Sequence, residues 1–297
     1  MDAGGKPVPA SISNNTAKSG GGIWQSKNVE GSKLEISNAK INGNTANNGA
    51  NGLGGGIYAG VRTLTLNTVE ISRNSATGNG GGVWFDLNYD TVRNAMSLTV
   101  EGCTLNANTS GAGGGGLYTM AKTVEIKGHT EGTGESAVTT PTAISNCTAK
   151  NSGGGLYQSR DVAGSTLIVT DSVISGCRSN DTSTANPPRG GGGIMANVRT
   201  ITVTGSQIRN NTAARNGGGI DAPNDSAASN LIIDNSEITG NSAGNMGGGI
   251  YTLSHLTLRR DTEITGNRLT THTAANCAGV RKQTEPEKTQ ATPIQKA

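Results

Sequence analysis

The chain has 297 residues, of which 46 are glycine, 8 proline and one phenylalanine; 15% are charged and the formal net charge is +3. So little bulky apolar material cannot fill a wide core, glycine without a strict three-residue period is not collagen, and so small a charge gives no basis for nucleic-acid binding. A repeat architecture remains.

Residues 1–10 form a polar lead, "MDAGGKPVPA", without an apolar signal core. From residue 11 the chain repeats itself. Glycine runs end at Gly22, Gly56, Gly82, Gly116, Gly155, Gly193, Gly219 and Gly249, with a worn ninth copy at Gly279, at intervals of 26 to 39 residues. Between runs lie short segments of alternating aliphatic residues, such as Leu64, Leu66, Val69 and Ile71, with Val83 after the next glycines. Period-two alternation over so few residues predicts strands, three to a repeat, and no stretch keeps a helical period.

These units specify an all-β fold: a single-stranded, right-handed parallel β-helix of eight to nine coils over residues 11–280, followed by a polar tail at 281–297. The glycine run turns a corner before each inward aliphatic residue, since glycine tolerates positive φ. A second landmark, aliphatic-x-x-Asn, ends at Asn15, Asn44, Asn74, Asn108, Asn211, Asn241 and Asn267. Stacked coils superpose these amides, so they are expected to hydrogen-bond along the column.

The paired "GGGI/V/L" and hydrophobic-x-x-Asn motifs resemble the repeats of the polymorphic outer-membrane proteins of chlamydia-like bacteria, over roughly residues 11 to 280, with Ile12, Ile41, Ile71, Leu105, Ile208, Ile238 and Ile264 where that family has phenylalanine. The resemblance implies a surface-exposed autotransporter passenger acting as an adhesin, at the outer membrane or outside the cell. No signal peptide precedes the repeats and no membrane span is evident. The uncapped first edge suggests a segment of a longer protein, a misassigned start or an end-to-end partner.

A longer period is also present. "ISNNTAKSGGGIWQSKNVEGSKL" at 12–34 returns as "ISNCTAKNSGGGLYQSRDVAGSTL" at 144–167, which divides the helix into four-coil units at about 12–143 and 144–280. Cys147 and Cys177 occupy the motif-asparagine slot in consecutive coils, where the strand spacing of about 4.8 Å allows either a disulfide or two stacked thiols. Cys103 reads as a core residue, and Cys277 falls in the worn glycine corner. With 3 histidines and no CxxC pair, neither a metal nor another cofactor is expected.

The residue after each inward aliphatic faces outward: Trp24, Tyr58, Trp84, Tyr118, Tyr157, Met195, Asp221 and Tyr251. Such a column either stacks simply to support the sheet or forms a platform for sugar rings or a protein, centred on residues 24 to 157. Arg62, Lys122 and Arg199 share one slot in coils two, four and six, a rise of about 10 Å per pair that suits an anionic glycan or is merely solvated. Outward Thr65, Thr99, Thr202 and Thr257 are interrupted by Glu35, Glu125, Ile168 and Ile232, which is no ice-binding face.

The expected function is a non-enzymatic adhesin-like module for a cell-surface glycan or host protein. The alternative is a β-helical polysaccharide lyase or glycoside hydrolase. Its catalytic candidates are Asp86, Asp90 and Arg93 in the longest connection, "FDLNYDTVRNAM", with Asp221 and Asp225 in the corresponding connection four coils on.

Overall fold

A computed structural model describes residues 8–87, 89–182 and 190–270; Cys277, the worn ninth corner and the 281–297 tail lie outside them. Four parallel ladders run along a β-solenoid of about eight turns, two of nine strands and two of eight. Each coil contributes one strand to each ladder, as in Glu70–Ser72, Ser75–Ala76, Val83–Phe85 and Ser97–Glu101.

Four strands replace the three expected from the sequence. The additional ladder is built of two-residue strands such as Thr45–Ala46 and Ser75–Ala76, too short for any alternation to register. The longest coil interval has a separate cause: an antiparallel hairpin, His129–Glu131 with Val138–Thr140, is inserted there.

Register follows from alternation. Leu64 stands over Leu98 and Leu66 over Val100, while Thr65 stands over Thr99 on the other face. Slipping one residue would carry every inward aliphatic outside. Leu64, Leu66, Ile71, Val83, Leu105 and the single phenylalanine, Phe85, are fully buried, and so is Cys103. The core is a narrow aliphatic channel.

The glycine triplet is required for two different reasons. At Gly80 φ is +70°, a left-handed turn that strains other residues. Gly81 and Gly82 face crowding instead: a Cβ would lie 2.5 Å from the Gly115 carbonyl oxygen and 2.6 Å from that of Gly116, respectively. Stacked coils leave no space for a side chain there.

Beside that corner runs the asparagine column, exposed at Asn15 and buried from Asn44 onward. Asn44 Nδ2 donates to Asn74 Oδ1 at 3.0 Å, and Asn74 Nδ2 donates to Asn108 Oδ1 at 3.1 Å. The same Asn74 Nδ2 donates to the Ile41 carbonyl at 2.7 Å, and Asn74 Oδ1 accepts from the Asn44 N–H at 2.9 Å. Each amide therefore satisfies backbone groups that the tight turn would leave orphaned. Asn211, Asn241 and Asn267 repeat the pattern. Cys147 and Cys177 replace two rungs as buried free thiols.

Candidate functional site: an aromatic column and its interlocked connections

The outward column stacks as the period-two pattern requires. Trp24 and Tyr58 lie 5.7 Å apart at 20°, Tyr58 and Trp84 4.3 Å apart at 21°, and Tyr118 and Tyr157 4.9 Å apart at 8°. Exposure along it is uneven. Trp24 is 60% exposed, whereas Trp84 is only 2% exposed. This corrects the expectation for Trp84, whose ring is structural and unavailable as a binding face.

Tyr118 and Tyr157 form one wall of a cavity of about 240 Å³, completed by Asn79, Asn151, Ser152 and the Ala112–Gly113 backbone. Gly113 donates its N–H to Asn79 Oδ1 at 2.8 Å. The space is smaller than the roughly 300–1,000 Å³ of pockets for drug-sized ligands, so it suits a single ring. No charged side chain lines it.

Farther along, Met195 and Asp221 are buried. Asp221 pairs in register with Met195 on one side and Tyr251 on the other, and among the described residues neither of its carboxylate oxygens has a hydrogen-bond partner of good geometry. Burial pushes its carboxyl well above the usual carboxylate range, outweighing the opposing effect of the nearby Gly190 N–H. A carboxyl in that state is sealed from any polysaccharide substrate. The Asp221 candidate is corrected to a buried acid; Asp225 is exposed.

The connections after the aromatic strands alternate between long and short. The long ones reach across the short ones between them. Arg160 in coil five extends over coil four to coil three, with Nη1 2.9 Å from Asp90 Oδ1 and Nη2 donating to Asn94 Oδ1 at 2.8 Å. Asn224 in coil seven donates to Asp161 Oδ1 in coil five at 2.9 Å. Arg199 in coil six lies between, its Nε 2.6 Å from Asp161 Oδ1.

This interlock accounts for the catalytic candidates. Asp86, Asp90 and Arg93 do come together: Arg93 Nε donates to Asp86 Oδ1 at 2.6 Å and Nη2 to the other oxygen, while Nη1 lies 3.1 Å from Asp90. Asp86 is 1% exposed. Hydrogen bonds from Arg93 and then Arg160 hold the Asp90 carboxyl below its ordinary value. A general acid in glycoside cleavage needs the opposite shift. The cluster supports a structural role.

The presumed cation column is likewise three different environments. Arg199 is neutralised by Asp161, which corrects its reading as a free charge. Lys122 packs beneath Gly164, where a Cβ would lie 3.5 Å from its Nζ. Among the described residues, no carboxylate forms an ion pair with Arg62. Arg160, Asp161 and Asn79 escaped the sequence reading, although the change from "SKNVEGS" to "SRDVAGS" between the two copies marks Asp161 directly.

Among the described residues, no three His, Cys, Asp or Glu side chains gather as a metal site, and no helix is long and apolar enough to cross a membrane. No protein-family model matches the chain, and neither does any curated protein or solved structure.

Proposed function

We propose that the chain is a non-enzymatic, adhesin-like binding module that presents a cell-surface glycan or host-protein site on a rigid solenoid, as a surface or extracellular passenger. The observation that carries this reading is the aromatic stack ending in an exposed ring: Trp24, 60% exposed, stacks on Tyr58, which stacks in turn on Trp84. An indole stacked on one face against a tyrosine ring has less freedom left to lose on binding. The nearby carboxylates are occupied by arginines, and the paired repeat motifs resemble those of surface adhesins.

Polysaccharide cleavage is the second reading, favoured only by the meeting of Asp86, Asp90, Arg93 and Arg160 in one connection cluster. A glycan array probed with the purified chain, beside a release assay on acidic and neutral polysaccharides, separates the two. Binding without release, reduced by Trp24→Ala, is expected. Release of oligosaccharides that stops in Asp90→Asn would overturn the proposal.

A further inference from the structure

The internal duplication supplies two copies of one frame that differ at several positions, Asn28 against Asp161 among them. Gly31 and Gly164 turn at φ +70° and +71°. Lys27 N–H donates to the Gly60 carbonyl at 2.8 Å, as Arg160 N–H does to that of Asn197 at 2.9 Å. Arg62 N–H donates to Ser32 Oγ at 3.2 Å, as Arg199 N–H does to Ser165 Oγ at 2.9 Å. Thr63 and Thr200 then donate to the Ser32 and Ser165 carbonyls, both at 3.1 Å. The two connections share these backbone hydrogen bonds.

Within that frame Asp161 of the second copy corresponds to Asn28 of the first. Arg199 Nε lies 2.6 Å from Asp161 Oδ1, in an ionic contact whose N–H is not aligned for a hydrogen bond. Arg62 has no counterpart of this carboxylate. Its Nε, like that of Arg199, is buried without a hydrogen-bond partner, but among the described residues no ion pair engages its guanidinium. Arg62 is only partly buried, and its planar fork is suited to bidentate carboxylate recognition. The first copy therefore has the arginine of the second copy's ion pair without its carboxylate.

The surroundings narrow the ligand. Lys27, where the second copy has Arg160, is exposed, and Glu30 lies in the same connection without pairing to Arg62. Trp24 is three residues before Lys27, whose N–H is bonded to Gly60, two residues before Arg62. An exposed indole and an unpaired guanidinium thus share two adjacent coils. That combination fits a sugar ring stacked on Trp24 with a carboxylated ring following it.

We infer that Arg62 binds the carboxylate of an acidic oligosaccharide, with the carboxylate taking the place that Asp161 holds beside Arg199. This rests on the adhesin-like reading and specifies its ligand class. The test is calorimetric titration with a galacturonic-acid trimer and with sialyllactose, against their neutral counterparts maltotriose and lactose; the two acidic arms separate a uronate from a sialate. One equivalent of one acidic probe is expected to bind, and the neutral sugars far more weakly. Arg62→Gln and Asn28→Asp should each weaken binding by about tenfold or more. Asn28→Asp should also raise the melting temperature, so its loss of binding cannot come from misfolding. Asp161→Asn should expose Arg199 and raise the stoichiometry towards two.

Equal binding of acidic and neutral sugars, or binding unaffected by both Arg62→Gln and Asn28→Asp, would overturn the inference. So would stronger binding of a glutamate-rich peptide than of either acidic glycan. Failure of both acidic probes sinks the inference alone if other glycans or proteins still bind through Trp24. If nothing binds, the adhesin-like reading fails with it.

Discussion

Asn108 Nδ2 lies 3.9 Å from Cys147 Sγ, the point at which the buried amide column passes into a pair of thiols. On the far side the column resumes, with Cys177 N–H donating to Asn211 Oδ1 at 2.9 Å. A thiol is a poor replacement for an amide as donor and acceptor. The two-coil interruption is therefore the least well bonded part of the interior column.

Restoring it should stabilise the chain. The double variant Cys147→Asn/Cys177→Asn is expected to gain about 1–2 kcal/mol, through one or two added buried hydrogen bonds. Asn74→Ala, which orphans the Asn44 N–H and the Ile41 carbonyl, should lose about 3 kcal/mol. Urea denaturation measures both, and a stabilising Asn74→Ala would contradict the role given to the column.

The glycine triplet predicts an order of damage. Gly81→Ala places a Cβ 2.5 Å from a backbone oxygen of the next coil, which must shift. It should cost more than about 3 kcal/mol, whereas Gly31→Ala, with nothing within 4 Å, should cost only the left-handed penalty of about 1–2 kcal/mol. Comparing their denaturation midpoints checks the distinction between crowding and φ.

Asp221 predicts an inverted pH dependence for its own contribution. Its folded carboxyl holds its proton well above the usual range, while the unfolded chain releases it near about 3.9. Between those values the folded state binds more protons, so stability contributed by this residue is complete below the unfolded pKa and falls as pH rises. Asp221→Asn should remove that fall and raise the melting temperature at pH 7 more than at pH 4. Thermal scans of both proteins at the two pH values decide it.

Trp24 and Trp84 should separate binding from stability. Trp84→Ala empties a buried site and is expected to cost about 3–5 kcal/mol, while Trp24→Ala should cost less than about 1 kcal/mol yet reduce ligand binding. Were Trp24→Ala to leave array binding intact, the column would have no recognition role.

Much of this molecule is legible in its residues. Leu64, Leu66, Ile71 and Val83 alternate as a strand core must, and the spacing of Asn44, Asn74 and Asn108 already implies an amide stack. The register that placed Cys147 and Cys177 in that stack, and Trp24 over Tyr58, needs only coil length and period two. Trp84 and Arg199 were not legible in the same way. Both occupy outward slots, and nothing in alternation says whether an outward side chain meets water.

The sequence by itself determined the coil, because a two-residue side-chain period and a glycine that admits no Cβ leave one way to stack the repeats. Tertiary structure alone decided which outward residues remain available. Arg160 reaches Asp90 across coil four, and Asp161 draws Arg199 and Asn224 together across coil six. Such contacts join residues tens of positions apart, so the charge left free at Arg62 follows from how the connections lie over neighbouring coils, which no local pattern encodes.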